Sequence, residues 1–415
     1  MIGYPLIVGG RGCPPTLPIF ISGGVPPNHD ACGEIMGKVI FITGATGAVG
    51  RELVALLLRR TDAELYLLVH KRGAGSDAAA LLRDVVELDP VPEIVERVRV
   101  VAGDIEEERL GLPDGVYREL RGRVTGILHA AACTRFDLPL GRIREINVEG
   151  TRRVVQLAGA CRRLDRFAFL STAYVAGKRT GTVYEHELAH DCGFANTYEQ
   201  SKYEAEQVVN EAAGRLPVAV YRLSTLLGDS KTGRITHFTA PHLSLQIMHR
   251  GLAGLVPGTP SCVVDLIPSD YAAATLFELF TAHFAAGQVF HLTAGADKSY
   301  TLREIIDASY HYLGECDPEW AGRQYPKPVI TSQEAFDLSL QTLQQTNNRL
   351  MYGVMSAVSH FAGQLSYPKR FDTTHLLACL PNYERDMPHV RDYYGKVVLQ
   401  CIRGQGRSQV LRTED

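Results

Sequence analysis

The stretch KVIFITGATGAVGRELVALLLRR, residues 38–60, constrains the fold of this 415-residue chain more than any other. KVIFI is a short β-branched run of the kind that forms a buried parallel strand. RELVALLLRR reads as a helix, and TGATGAVG joins the two. In a strand–turn–helix context the glycines Gly44, Gly47 and Gly50 divide three duties. One permits the tight turn, one lets backbone approach a pyrophosphate, and one lets helix and strand pack closely. The helix N-terminus then offers free N–H groups and its positive dipole end to phosphates. Together with Thr46, Ala48 and Val49, the turn reads as a dinucleotide site.

The same rhythm continues along the chain. ELYLLVH (64–70), VRVVAGD (98–104), GILHAAA (126–132), RFAFLSTAYV (166–175) and PVAVYRL (217–223) read as further strands. Helical stretches fall at 76–88, with Ser76 as N-cap, at roughly 141–163, and around Tyr198. Strands alternating with helices imply a parallel sheet covered on both faces. The expected fold is α/β, a Rossmann-type doubly wound sheet over 37–227 that is completed by segments up to about 295. After Leu227 the rhythm breaks, and residues 228–401 read as a smaller, mostly helical substrate-binding region. CVVDLI and VFHLT there look like short strands, with helices around 270–284 and 301–313. Residues 1–36 are rich in Gly and Pro and read as a disordered or loosely packed extension, with Met36 as an alternative start. Residues 402–415 read as a flexible tail.

Composition narrows the function. Net charge is −3, with 45% apolar and 21% charged residues, which is ordinary globular usage without the basic excess of a nucleic-acid binder. Nine cysteines, an odd and scattered number without a Cys-x-x-Cys, suit reduced thiols in the cytoplasm. No apolar run reaches bilayer-spanning length. His186 and His190 lie four apart but lack a HExxH arrangement, so they read as solvated loop residues and no metal is expected.

The second strand ends in His70-Lys71-Arg72, where a cofactor with a free ribose 2′-hydroxyl usually meets an acid. Arg72, with Lys71, suits a 2′-phosphate instead, which favours NADP(H). Asp104 closes the third strand, where it can accept from the adenine amino group. Tyr198 and Lys202, in YEQSK, share one helix face. A phenol with a pKa of about 10 is a sluggish acid near neutrality. A lysine one turn away, with a positive nicotinamide ring, shifts it toward the working range.

TGATGAVG, the Asp104 turn, HAAA (129–132), NVEGT (147–151), STAYV (171–175) and YEQSK (198–202) occur in the order of the extended short-chain dehydrogenase/reductases, which the chain resembles over about 37–295. FLSTAYVAG, NTYEQSKYEAE and LLGDSKTG are similar to the branch of fatty acyl-CoA reductases and thioester reductase domains. The resemblance implies that Ile105, Ala130 and Ala131 line the cofactor and that Lys202 contacts the nicotinamide ribose. It implies that Thr172 orients the carbonyl, with Ser171 second because a continuing strand turns it to the opposite face. It further implies that Asn147 supports a proton relay. The chain departs from the pattern at Leu223, where the family usually has proline.

The expected activity is NADPH-dependent reduction of an acyl thioester to an aldehyde, with a second hydride giving an alcohol. No adenylation or carrier domain accompanies these motifs, so the thioester is expected on CoA or on a separate carrier protein. The alternatives are a ketone or hydroxysteroid-type carbonyl reductase, a sugar-nucleotide epimerase, and a non-catalytic NADP(H)-sensing regulator. The amphipathic stretch LSLQIMHRGLAGLV (243–256) reads first as the wall of an apolar substrate pocket and second as a membrane-surface element.

Overall fold

Every residue of the first strand, β1 (Val39–Thr43), is buried, as a central parallel strand requires. The computed structural model describes residues 37–70, 77–346 and 348–403, which lie within one unit of the chain. Six more parallel strands complete the sheet: β2 (Glu64–Val69), β3 (Val98–Ala102), β4 (Gly126–His129), β5 (Arg166–Thr172), β6 (Val218–Leu223) and β7 (Val289–Leu292). Their order is β7-β6-β5-β4-β1-β2-β3. Strand order therefore reverses between β1 and β4, and a crevice opens there at the carboxyl ends. The expected doubly wound α/β sheet is present, with β7 as its last strand.

The two-residue period of the strands assigns each side chain to a face. Ile40 and Ile42 of β1, Leu128 of β4 and Leu170 of β5 share one core with Leu53, Leu57 and Leu58 of helix α1 (Ala48–Arg60). Other members of that core are Leu376, Tyr383 and Met387. The C-terminal portion thus returns to the sheet and is not confined to the substrate region. On the other face lie α2 (Gly150–Ala160) and α3 (Thr197–Ala213), which pack against each other. The helix expected over 141–163 is instead a short helix Leu140–Arg144, a wide turn Glu145–Glu149, then α2.

Beyond the sheet lie the longer helices α4 (Ala240–His249), α5 (Ser269–Thr281), α6 (Leu302–Cys316), α7 (Gln333–Gln344), α8 (Arg349–Ala362) and α9 (Val390–Arg403). α5 packs on α1, whereas α4, α6 and α9 gather a second core around Leu245, Ile306 and Tyr394. Residues 402 and 403, assigned to a tail by sequence, continue α9. The expectations for residues 1–36, Ser76, Lys71, Arg72 and 404–415 lie outside the described residues. Asp77 supplies the N-cap of the helix at Ala78, through a hydrogen bond from the Ala79 N–H. Among the described residues, no helix is long and apolar enough to cross a membrane.

Candidate active site

The glycine turn is built by close approach. Gly44 has φ +75°, and a Cβ there would lie 2.6 Å from the Ala130 carbonyl carbon and the Ala131 nitrogen. A Cβ on Gly50 would lie 2.0 Å from the Gly44 carbonyl oxygen. These two glycines seat α1 and the end of β4 against the turn. Gly47 is different, because the sole near neighbour of a Cβ there is the Gly44 oxygen at 3.2 Å. Gly47 caps α1 without any side-chain cap, and the first turn of α1 carries no acid. Among the described residues, no side chain caps the N–H groups at the start of α1, which leaves them suited to an anion. Thr46 is exposed at the tip of the turn. This arrangement fits a pyrophosphate.

The adjoining strand ends carry the other expected cofactor residues. Asp104 accepts from the Glu106 N–H at 2.9 Å and stands 3.0 Å from His70 Nε2. His70 is thus partly committed to Asp104. Ile105 packs against Gly150, where a Cβ would meet its side chain at 2.9 Å. Ala130 donates its N–H to Thr43 O at 3.1 Å, and Ala131 donates to Thr43 Oγ1 at 3.2 Å.

Beneath them lies a residue that the motif reading does not single out. Buried His129 lies 2.7 Å from Thr43 Oγ1 and 3.0 Å from Thr151 Oγ1, and Thr151 donates to Asn147 O at 2.6 Å. Because Thr151 spends its proton on Asn147 O, it accepts from His129 Nε2, and the neutral ring takes the Thr43 proton at Nδ1. Burial pushes this imidazole down to about 3, with Lys202 adding to the effect, so it stays neutral.

Thr172 ends β5, and Tyr198 and Lys202 lie one turn apart at the start of α3. Thr172 Oγ1 donates to Leu223 O at 3.2 Å and accepts from the Tyr174 N–H at 3.3 Å. The departure from proline at Leu223 leaves this carbonyl contact in place. Burial pushes the Tyr198 phenol above its usual range; a side-chain hydrogen bond with Thr172 acts the other way, and Glu199 adds to the rise. The ring packs edge-on to Phe136, with centroids 5.5 Å apart. Lys202 Nζ donates to Leu170 O at 2.8 Å and stands 4.3 Å from the centroid of Phe169. Burial lowers this ammonium to about 8, while Glu206 opposes the shift. Ser171 turns toward α3, where it donates to Glu206, one turn beyond Lys202, at 2.7 Å.

The Asn147 carboxamide is bound on both sides. Its Oδ1 accepts the Cys133 N–H at 2.7 Å, while Nδ2 reaches Cys133 O at 3.0 Å and Ser201 Oγ at 2.9 Å. The carboxamide ties the loop after β4 to α3. A correction concerns His190, which its sequence context assigns to solvent. It is half-buried between Phe194 and Tyr203, with Nε2 2.8 Å from Val175 O. His186 is exposed. No group of three metal-ligating side chains occurs among the described residues.

Tyr198 lines a cavity of about 170 Å³. Its walls are almost wholly apolar, drawn from α4 and residues 252–256, from α6, and from α8. The stretch 243–256 therefore serves as pocket wall, the first of the two roles its amphipathic pattern suggests.

The switch-point crevice, the uncapped glycine turn and the Tyr198–Lys202 pair define an NAD(P)-binding protein of the extended short-chain dehydrogenase/reductase type. The chain belongs to the NAD-binding family described as Male sterility protein, which matches residues 42–276. It is 31% identical over 267 residues to a linear gramicidin synthase polypeptide of Brevibacillus parabrevis, covering 61% of this chain and 5% of that one. It is 26% identical over 335 residues to the fatty acyl-CoA reductase wat of Drosophila melanogaster, covering 71% and 64%. The chain thus spans less than two thirds of the length of these curated relatives. In fold it is similar to the terminal R domain from the myxalamid PKS-NRPS biosynthetic pathway. That likeness has a TM-score of 0.70 and 24% identity, over 90% of this chain and 92% of that one.

Proposed function

We propose that the chain reduces an acyl thioester to an aldehyde, and further to the alcohol, with NADPH as reductant. The carrying observation is that Tyr198 stands at the boundary between the strand ends of the nucleotide crevice and an apolar cavity. An acyl chain suits such walls, and a sugar nucleotide does not. Bound NADPH supplies the hydride. Thr172 and Tyr198 hold the carbonyl oxygen, and Tyr198 gives its proton to the developing oxyanion. Lys202, one turn along α3, holds the nicotinamide ribose and favours phenolate once that proton has left. Asn147 positions α3 rather than moving protons.

Lys71 and Arg72 support NADP over NAD, since the sequence that follows β2, His70-Lys71-Arg72, carries no acid. The thioester arrives on CoA or on a separate carrier protein, and residues 228–401 furnish most of its pocket. The seven cysteines among the described residues are free thiols, which suits the cytoplasm. The test is incubation with NADPH and acyl-CoA or acyl-carrier thioesters of several chain lengths, followed by detection of aldehyde or alcohol. No turnover at any length, beside brisk reduction of a ketone, overturns the assignment.

A further inference from the structure

Glu199 is the sole carboxyl among the residues that line the cavity, and no lysine, arginine or histidine accompanies it there. It directly follows Tyr198 on α3 and is 1% exposed. A glutamate at the third helical position ordinarily caps the helix while its carboxylate remains in water. The capping is present here. Glu199 accepts from the Ala195 N–H at 3.0 Å and from Asn196 Nδ2 at 3.0 Å, and Asn196 accepts the Glu199 N–H at 2.9 Å. Capping alone does not call for burial among leucine, isoleucine, valine and methionine side chains. The Gln364 side chain adds a third hydrogen bond to the carboxylate, and one lone pair of its two oxygens remains for a further partner.

Behind Glu199 the lining changes character. Gln364 lines the same cavity, and its Oε1 accepts from Lys369 Nζ at 2.5 Å. Lys369 also donates to Gly177 O at 2.7 Å. It faces a second cavity, of about 730 Å³, lined by Asp265, Lys298, Arg370 and Asp372. Glu199, Gln364 and Lys369 thus form a polar partition between an apolar cavity and one lined by charged groups. Burial pushes the Glu199 carboxyl up to about 7, with Lys369 opposing, so a neutral acid is available near neutrality.

The chemistry that needs such an acid follows from the thioester reading, on which this inference rests. Hydride and proton addition give a hemithioacetal, R–CH(OH)–S–R′. Its collapse breaks the C–S bond, and that electron pair goes to sulfur. The hydroxyl proton returns to the Tyr198 phenolate as the C=O bond forms. Tyr198 is therefore occupied with oxygen and cannot serve sulfur. A bare thiolate in an apolar cavity is costly. We propose that Glu199 protonates the departing thiolate. Nothing is oxidised or reduced in this step. The carboxylate regains its proton from water on the Lys369 side.

The test compares one acyl-CoA with the free aldehyde of the same chain length, following NADPH consumption and thiol release by the wild type and Glu199→Gln. Aldehyde reduction releases no thiol. The ratio of thioester to aldehyde kcat is expected to fall about 100-fold in the variant, the usual scale for loss of a general acid. Thioesters of acidic aryl thiols, which leave without a proton, should recover most of that loss. Equal losses on both substrates, or a loss insensitive to thiol acidity, overturn the proposal and return Glu199 to helix capping. If Glu199→Gln does not fold, Glu199→Asp serves. It sets the acid back by one methylene and should slow thioesters more than aldehydes; equal slowing counts against the proposal. Wild-type protein that reduces the aldehyde but no thioester removes the underlying reading instead.

Discussion

Asn147 Nδ2 donates to Ser201 Oγ across 2.9 Å, and Ser201 in turn donates to the Tyr198 carbonyl at 2.8 Å. With both carboxamide atoms also bound to Cys133, Asn147 acts as a clamp on the catalytic end of α3. Asn147→Ala strands buried polar groups on Cys133 and Ser201, at about 1–3 kcal/mol of stability. The expected result is a lower denaturation midpoint together with a lower kcat, while the pH dependence of kcat keeps its shape. A shifted pH profile at unchanged stability would restore the proton relay.

Tyr198 and Lys202 separate catalysis from stability. Tyr198→Phe is expected to lower kcat by roughly 10²–10⁴-fold, with NADPH affinity retained by fluorescence titration. Lys202 carries a pKa of about 8 in the fold against 10.5 in the open chain. The unfolded state holds that proton more tightly, so the fold bears the cost below pH 8 and is relieved as pH rises toward 10.5. Lys202→Met should therefore abolish turnover yet raise Tm at pH 7, with the gain shrinking by pH 10. A Tm lowered equally at both pH values would contradict this account.

The glycine turn makes a paired prediction. Gly50→Ala drives a methyl against the Gly44 carbonyl, a contact that neither backbone can avoid without moving. Overpacking of this kind costs about 1–3 kcal/mol, and both stability and NADPH affinity should fall. Gly47→Ala meets a single oxygen at 3.2 Å, so its stability should change by less than about 1 kcal/mol. Its NADPH affinity should still fall, because the methyl projects from the turn that meets the pyrophosphate. Titration and thermal unfolding of the two variants check the contrast.

Cofactor choice is expected to reside in Arg72. A charge-assisted hydrogen bond is worth about 1.5–3 kcal/mol. Arg72→Ala should thus reduce the NADPH-over-NADH ratio of kcat/KM by roughly 10- to 100-fold, mostly through KM. An unchanged ratio assigns the 2′-phosphate to other residues.

What is legible in the sequence is local or periodic. The glycine turn, the alternation of buried strands and helices, Tyr198 with Lys202, and the opposed faces of Ser171 and Thr172 follow from short spacings along one element. Asn147 reads as a relay residue from its motif because its partners, Cys133 and Ser201, lie in other segments. Glu199 escapes notice for the same reason. A glutamate three after an asparagine reads as a cap, and its distant partners, Gln364 and Lys369, come from far along the chain. The return of Leu376, Tyr383 and Met387 to the sheet core has no local signature either. The spacing of Tyr393, Tyr394, Val397, Val398 and Cys401, by contrast, is helical and marks the buried face of α9. That signal lies within a stretch whose weak overall periodicity hides it.

The side of β5 and β6 that faces α3 holds a buried ion pair whose energetics can be separated by double substitution. Arg222 is 1% exposed and Glu206 0%, joined from Nε at 2.9 Å and from Nη2 at 2.5 Å. Arg222 Nη1 also reaches Glu185 O at 3.3 Å and His291 Nε2 at 3.2 Å, while Ser171 donates to Glu206. Removing one partner leaves a dry, uncompensated charge, at about 3–5 kcal/mol. Replacing both removes the desolvation cost along with the attraction, so the double variant loses less than either single one. Arg222→Met and Glu206→Leu are each expected to lower the urea midpoint sharply, and the combined variant to recover part of that loss. Because His291 accepts from Arg222 and donates from Nδ1 to Asp372 O, it must stay neutral in the fold. Burial, with Arg222 adding to it, holds its pKa well below 6.5. Its contribution is complete above pH 6.5 and is lost on acidification. Wild-type stability should therefore fall as pH drops from 6.5, and His291→Gln, which cannot take up the proton, should flatten that fall. Additive losses in the double variant, or an unchanged pH slope in His291→Gln, would show that Arg222 and its neighbours act independently.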